Sequence, residues 1–485
     1  MDLTSLCSII AHVSHLSVLL LLFGELASCP RNPALPGFNP DLSIIRVNDT
    51  YYLATSTFEF YPGAPIQSHP NLVVDWEVVS HAFNSPLIAL LYGVPTGAVF
   101  YLINMSRWVL WCLCYDNYDP NARVFPPSDP TWTEPWGIDP DIFLDERTNK
   151  TILTWSGVNN NVERIYGIYQ CEFASINGKC HGTDDFHRAT IARSKSFQVQ
   201  STSHADLVST PSGEWFTDFL GRRNINGSSP LGRETFLAPV AWVDGWPLVN
   251  SGGPVTLNPK VAPLPDRSAL PPTFLNTFNS TSLRSDYYQI RIPYMKDYEV
   301  TGGFGGLPAL KLNPNIYTLS NRDVPAALIR KQKSLNMTLS AKVTRMKPLK
   351  SLLQEIGIGI YLSEFQHQDI AIKKCPGNIT VSDTCIYTQI TRNTTITLAA
   401  TLLLYEPIPS NNAGVILHIR AQPLTYQLGY SLEGRNQISW ITSVESKWAA
   451  FAPVNYFVFT GAQFAIYATG NGFPWPWDGG DVRFD

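Results

Sequence analysis

The chain has 485 residues, 44% of them hydrophobic and 12% aromatic, which is ample for a core and, at roughly 150 residues per domain, for more than one domain. Lys and Arg number 35 against 39 Asp and Glu, a formal charge of −4, and this excludes a basic nucleic-acid surface as the main business. The apolar content excludes a disordered acidic chain, and 37 prolines with 32 glycines suit short strands joined by turns better than long helices. No GxGxxG, P-loop or zinc-finger spacing occurs, so dinucleotide, nucleotide and structural zinc chemistry are poor fits.

Residues 16–23 (LSVLLLLF) form an apolar run of signal-peptide length, short for a membrane span. Ala27-Ser28-Cys29 would serve as its cleavage site, so residues 1–29 read as a leader. No Lys or Arg precedes Arg31 and Glu25 follows the run, so a misplaced start or a buried strand is the alternative. Sequons at Asn48, Asn104, Asn149, Asn226, Asn279, Asn336, Asn378 and Asn393 support export. Secretion is therefore expected. In an oxidising compartment the close pairs Cys171/Cys180 and Cys375/Cys385 suit hairpin-closing disulfides, reduced thiols being the alternative. Cys112 and Cys114 carry no metal signature.

After the leader the text is strand-like. Residues 44–60 read as a hairpin around Asn48-Asp49, residues 141–156 as one around Thr148-Asn149, and residues 206–220 as one around Pro211-Ser212-Gly213. The three share a lead-in: Asp41-Leu42-Ser43, Asp139-Pro140-Asp141 and His204-Ala205-Asp206 each place an ionisable residue two before a polar one, then enter an apolar strand. A degenerate hairpin repeat predicts a β-propeller, with the lead residues converging at one end of the central channel. Asp41 and Asp139 lie 98 residues apart, enough for two blades of roughly 40 to 50 residues. Asp139 and His204 lie 65 apart, long for one blade and short for two, as though roughly thirty residues of a second were missing.

Residues 256–272 carry five prolines and no strand-length apolar run, which reads as a linker. Beyond it, DYYQIRI, NMTLSAKV, IGIGIYL, TLAATLLLY and YFVFTGAQFAIYATG alternate like strands of a β-sandwich. LIRKQKSL and SLLQEI fit short helices or strand edges.

These segments, in this order, resemble glycoside hydrolase family 43. The resemblance is to its β-xylosidase/α-L-arabinofuranosidase branch. It is carried by residues 32–66 (NPALPGFNPDLSIIRVNDTYYLATSTFEFYPGAPI), GIDPDIFLDE (137–146), TIARSKS (190–196), SHADLVSTPSGEW (203–215) and LGRETFLAPVAWVDGWPLVN (231–250). TYQLGYSLEGRNQISW and FVFTGAQFAIYATGNG look like its C-terminal domain. The resemblance implies an all-β protein: a five-bladed propeller over residues 30–255, incomplete here, and a concanavalin A-like sandwich over residues 273–485. It also implies inverting hydrolysis of terminal β-D-xylosyl or α-L-arabinofuranosyl bonds, with xylo- or arabino-oligosaccharides as substrate and neither nucleic acid nor membrane as partner.

An inverting enzyme needs a carboxylate to activate water and a carboxylic acid to protonate the leaving oxygen. By motif Asp41 is the general base, and Asp139 is the carboxylate that keeps the acid's pKa raised and orients it. His204 matches an axial histidine, Arg233 in LGRET a sugar-gripping residue, and Phe58 in STFEF a pocket wall. No cofactor is required. The resemblance allows a calcium ion near His204, though no acidic cluster demands one.

The chain departs from the pattern in two places. The family's general acid is the Glu of an E-G-P-H segment, and no EGPH occurs; residues 178–196 run GKCHGTDDFHRATIARSKS, without the strand pair expected between GKC and TIARS. Nothing places Glu163, Glu172, Asp184 or Asp185 on the axis in its stead. Residues 87–111 lack the tryptophan-bearing G-x-W-A-P-type segment that lines the family's pocket and read as foreign sequence. A degenerate homologue and a translation across misplaced intron boundaries both account for this, and the clustering of the defects favours the second. A carbohydrate binder without turnover is the rival function.

Overall fold

The computed structural model describes residues 32–70, 72, 76–85, 198–257, 274–302, 308–345, 348–393, 398–408, 414–450, 459–476 and 481–484, together with the backbone of five strands between 137 and 189. The leader, the stretch at 87–111 and nearly all of the proline-rich linker lie outside the described residues.

Three small antiparallel sheets precede the linker. In the first, β1 (Ser43–Val47), β2 (Thr50–Ala54), β4 (Gly63–His69) and β5 (Glu77–Phe83) pair in that order, while β3 (Phe60–Tyr61) leaves for another sheet. The second joins β6 (Gly137–Asp145), β7 (Lys150–Val158), β8 (Tyr166–Ala174) and β10 (His187–Ala189), with β9 (Lys179–His181) also on β8. The third is β11 (Val199–Ser209), β12 (Trp215–Arg223), β13 (Glu234–Val243) and β14 (Trp246–Val249). Each opens with one of the expected hairpins, and the connections of β1 to β2, β6 to β7 and β11 to β12 fall where the Asn, Asp and Pro-Ser-Gly turns were read.

The lead-ins share more than composition. In β11, Ser203 pairs with Leu220 and Asp206 with Asp218, so His204 and Ala205 together oppose Phe219 alone. In β6, Ile138 pairs with Ser156 and Asp141 with Thr154, so Asp139 and Pro140 oppose Trp155. Before β1, Ser56 N–H donates to Pro40 O at 2.9 Å and Ser43 pairs with Ala54, so Asp41 and Leu42 oppose Thr55. This is one β-bulge used three times, and Asp41, Asp139 and His204 each hold its first position. Such a bulge bends the strand and re-aims a side chain.

The strand β11 packs beside both β1 and β6. Among the described residues no further sheet stands between β6 and β11. The described residues of the short interval from Asp139 to His204 thus belong to one sheet before β11 begins.

After the linker come two large sheets. The eight-stranded one has the order β23-β22-β21-β20-β27-β18-β15-β3 and the seven-stranded one β16-β17-β28-β19-β24-β25-β26. Their strands are β15 (Tyr288–Ile290), β16 (Tyr298–Val300), β17 (Leu310–Leu312), β18 (Ala327–Lys331), β19 (Met337–Arg345), β20 (Glu355–Ser363), β21 (Gln366–Lys374), β22 (Thr384–Asn393), β23 (Leu398–Ile408), β24 (Val415–Ala421), β25 (Thr425–Leu432), β26 (Ser439–Glu445), β27 (Gln463–Thr469) and β28 (Val482–Phe484). The segments open to a helical reading form no helix: 328–331 lies in β18, and 351–356 is a turn running into β20.

Every residue of β20 is buried, and the reason lies in its two faces. Ile356, Ile358, Ile360 and Leu362 point into the sandwich with Leu417, Ile419 and Leu428 of the facing sheet. Tyr361 points the other way and joins Ala371, Tyr467, Phe38 and Phe60. The eight-stranded sheet is therefore covered on both sides, by its partner sheet and by the N-terminal sheets. A Cβ at Gly357 would stand 2.6 Å from Ile370 O, so glycine is required where β21 crosses close. Cys375 and Cys385, one of the two expected pairs, are disulfide-bonded. Cys171 and Cys180 lie on adjacent strands β8 and β9, with side chains outside the description.

Candidate active site

Asp41 is held from three directions. Its neighbour Asn39 donates its backbone N–H to Arg233 O at 2.8 Å and accepts from Thr235 Oγ1 at its own carbonyl, at 3.1 Å. Two residues before it, Gly37 N–H reaches Glu234 Oε1 at 2.8 Å, and Arg223 binds that carboxylate through both oxygens, at 2.7 and 2.8 Å. From the sandwich, Lys331 Nζ donates to Asn39 Oδ1 at 2.6 Å. Lys331 is pulled down to about 7, first by burial and then by Lys333.

The side chains of Asp41, Arg233 and His204 then meet. Arg233 Nη1 donates to Asp41 Oδ1 at 3.1 Å, and His204 Nδ1 stands 4.0 Å from the same oxygen. Their side-chain exposures are 19%, 21% and 23%, sheltered yet open to a solute. Asp41, His204 and Phe58 have φ of 52°, 53° and 51°, in the left-handed region; Asp and His enter it more readily than most side chains, so the strain is greatest at Phe58. Such strain persists where surrounding bonds over-determine it, often at functional sites.

Phe58 sits on a turn fixed by Thr57 Oγ1, which donates to Phe60 O at 2.7 Å, and by its own N–H on Ser56 Oγ at 3.1 Å. Its ring stacks on Phe459 at 5.4 Å, and the Arg233 guanidinium lies over the same Phe459 ring at 4.6 Å. Phe459 comes from the sandwich and is 37% exposed. The wall is thus built by both halves of the chain.

One further carboxylate ties the bulged strands together. Asp206 Oδ2 accepts from Ile44 N–H at 2.8 Å and from Ser43 Oγ at 3.3 Å, fastening β11 to β1 beside Asp41 and His204. Below it, fully buried Asp218 is pushed well above the usual carboxylate range by burial and by Asp206. Nearby, burial and Arg233 lower Arg222 to about 10.

Of the residues expected from sequence, Asp41, His204, Arg233 and Phe58 come together. Asp139 takes the bulge position of β6, the strand beside β11, and its side chain lies outside the description. Among the described residues no three His, Cys, Asp or Glu side chains gather into a metal-binding group, so no cage for calcium near His204 is found there. Phe459 and Lys331 were missed: neither the alternation of β18, which carries Lys331, nor the segment before β27, which carries Phe459, marks which residue crosses to the other domain.

Three bulged strands that each place a polar residue at the same position, beside a two-sheet sandwich, form an arrangement that comparison with known proteins makes specific. Residues 30–87 and 183–247 match the model of glycosyl hydrolases family 43, and residues 276–475 match the β-xylosidase C-terminal concanavalin A-like domain. The chain belongs to glycosyl hydrolase family 43, a family of glycosidases. It is 28% identical to the non-reducing end α-L-arabinofuranosidase BoGH43B of Bacteroides ovatus, over 91% of this chain and 92% of that protein. It is 26% identical to a β-xylosidase of Bacillus subtilis, over 55% of this chain and 65% of that one. The fold matches the structure of Bacillus licheniformis BlXynB, a GH43 protein, with TM-score 0.70 at 17% identity, covering 94% of this chain and 98% of that one. The family match passes over residues 88–182, the interval that holds Asp139 and the foreign stretch.

Proposed function

We propose that this chain takes terminal β-D-xylosyl or α-L-arabinofuranosyl groups of plant cell-wall oligosaccharides into the site at Asp41, and that its chemistry is inverting hydrolysis with Asp41 as general base. The arrangement around Asp41 carries the reading: a carboxylate oxygen 3.1 Å from Arg233 Nη1, beside His204 and the Phe58–Phe459 wall. The Arg233 guanidinium orients the Asp41 carboxylate, the group that as general base would take a proton from water. Arg233 has further donors for sugar hydroxyls in a fixed fork, and the aromatic faces suit the apolar side of a pentose. Asp139, at the equivalent bulge on β6, would raise the pKa of a neighbouring acid. The intended propeller has five blades, of which the described residues contain three sheets, and the chain is exported. Sequon residues Asn48, Asn226, Asn279, Asn336 and Asn378 are all exposed, as glycosylation requires.

The missing EGPH segment favours a second reading. Without a general acid the leaving oxygen departs unprotonated, which costs about 10²–10⁴-fold in rate, and the site then serves as a pentose-binding pocket. Hydrolysis of 4-nitrophenyl β-D-xyloside and α-L-arabinofuranoside beside Asp41→Asn decides the matter. Turnover lost in the variant, with inverted anomer by NMR, supports the enzyme. Binding of xylose or arabinose without turnover supports the binder, and neither from a folded protein overturns both.

A further inference from the structure

The sandwich holds a second cluster of reactive side chains. Ser320 Oγ lies 2.8 Å from His367 Nε2, and His367 Nδ1 lies 2.7 Å from Asp369 Oδ2. Both His367 and Asp369 are on β21, two residues apart and hence on one face, and both are buried, with side-chain exposures of 3% and 5%. Ser320 is half-buried. We propose that Ser320, His367 and Asp369 form a serine-hydrolase triad that cleaves short-chain carboxylic esters, independent of the sugar site.

The roles follow from the partners. An ionised Asp369 can only accept, so the His367 proton sits on Nδ1 and Nε2 is left to accept from the Ser320 hydroxyl. The imidazole is fixed in orientation by the carboxylate and by the Tyr361 ring, stacked at 6.2 Å and 26°. Burial raises Asp369, and the neighbouring His367 opposes that rise. The nucleophile is held as firmly as the base. Ser320 N–H donates to Thr318 Oγ1 at 3.2 Å, Thr318 N–H and Oγ1 both bond Asn321 Oδ1, at 2.7 and 3.0 Å, and Asn321 N–H returns to Thr318 O at 3.1 Å. A nucleophile and base within hydrogen-bond reach, with the base oriented by a third group, are the geometric requirement for covalent acyl transfer. The adjoining Asn321 and Arg322 are exposed; Arg322 Nε lies 3.5 Å from Glu364 Oε1, and the side-chain amide of Asn321 and the other guanidinium N–H groups of Arg322 would be the donors for an oxyanion.

In the reaction, Ser320 Oγ bonds to the acyl carbon as its proton passes to His367 Nε2. The tetrahedral intermediate then breaks its bond to the alcohol oxygen, and the alcohol leaves with that proton. Water attacks the acyl-serine, giving one proton to His367. Collapse releases the carboxylic acid and returns the proton to Ser320.

The test uses the full chain. A fluorophosphonate probe followed by peptide mapping should label Ser320, and 4-nitrophenyl acetate should be hydrolysed. Ser320→Ala should abolish the labelling and cut turnover by about 10³-fold or more, with an unchanged thermal melt. Asp41→Asn should leave both intact, separating this centre from the sugar site. Acetylated xylo-oligosaccharide and triacetin then distinguish a sugar ester from a glyceride. No label on Ser320 in folded protein, or acetate turnover undiminished in Ser320→Ala, overturns the assignment.

Discussion

The sandwich and the three small sheets use β structure to opposite ends. In the eight-stranded sheet, β20 runs unbroken against β21 and β27, every residue buried and the ladder regular over most of its length. In the small sheets the inner strand is interrupted at the same place each time, and the interruption is where Asp41, Asp139 and His204 sit. Regular pairing maximises buried apolar area, and the bulge gives up part of a ladder to aim one polar residue. For the sugar site the sandwich supplies rigid support and the small sheets supply the polar residues, and β3 links the two halves by pairing with β15.

The largest test of this contrast restores what the blades lack. Inserting the family's strand pair with its Glu-Gly-Pro-His between Cys180 and Thr190 should raise turnover of unactivated xylo- and arabino-oligosaccharides, whose leaving alkoxide needs a proton, by about 10²–10⁴-fold, and that of the 4-nitrophenyl pentosides by less. An insertion that folds, binds pentose and stays inactive would show that the defect is not the missing acid alone.

Next comes the sandwich core. Ile358 is fully buried between the sheets, and Ile358→Ala should cost about 2–5 kcal/mol by denaturant unfolding. Pentose affinity of the remaining folded protein should be unchanged, because no polar atom of the site depends on that side chain. A cost near zero would mean that the core is loosely packed and that the sandwich is not the rigid half.

This division also governs what the sequence could reveal. The hairpins, the shared lead-in and the alternating sandwich strands were legible because each is a local pattern: turn residues, period two, a repeated ionisable residue. The equivalence of Asp41, Asp139 and His204 was visible as spacing before the bulge explained it. What stayed hidden was long-range. Nothing local announces that Lys331 grips Asn39, that Phe459 lies under Arg233, or that Phe60 and Tyr61 desert their own sheet.

Where the halves meet, the contrast can be read by pH. Glu59, beside Phe58, stands 3.6 Å from Arg291 Nη2, which is itself 3.7 Å from Glu364. Burial first, then Glu364, raise Glu59 to about 8, against the pull of Arg291. A carboxyl raised on folding binds its proton more tightly in the native state. Its contribution to stability is therefore complete below the unfolded value of 4.5 and lost as pH rises through about 8. Glu59→Gln should flatten the fall in stability between those limits, measured by melting from pH 4 to 9. Parallel curves for the two proteins would show that Glu59 titrates normally and that the seam is wet.

The smallest expected effect lies at the aromatic side chain that the rigid half lends to the site. Phe459 stacks on Phe58 at 5.4 Å and carries the Arg233 guanidinium over its ring at 4.6 Å. Aromatic pairs are worth about 0.5–1.5 kcal/mol beyond their area, and a partly exposed cation–π contact about 0.5–1 kcal/mol. Phe459→Ala frees Arg233 to leave Asp41, so pentose affinity should fall about 3- to 30-fold by calorimetry, since each 1.4 kcal/mol is tenfold. Phe459→Trp keeps both contacts and should restore most of the loss, while folding stability barely moves because the ring is 37% exposed. If Phe459→Ala binds pentose as well as the parent, the sandwich merely supports the blades. If only Phe459→Trp recovers the affinity, the site is a joint product of two domains, and neither half would bind sugar at full strength without the other.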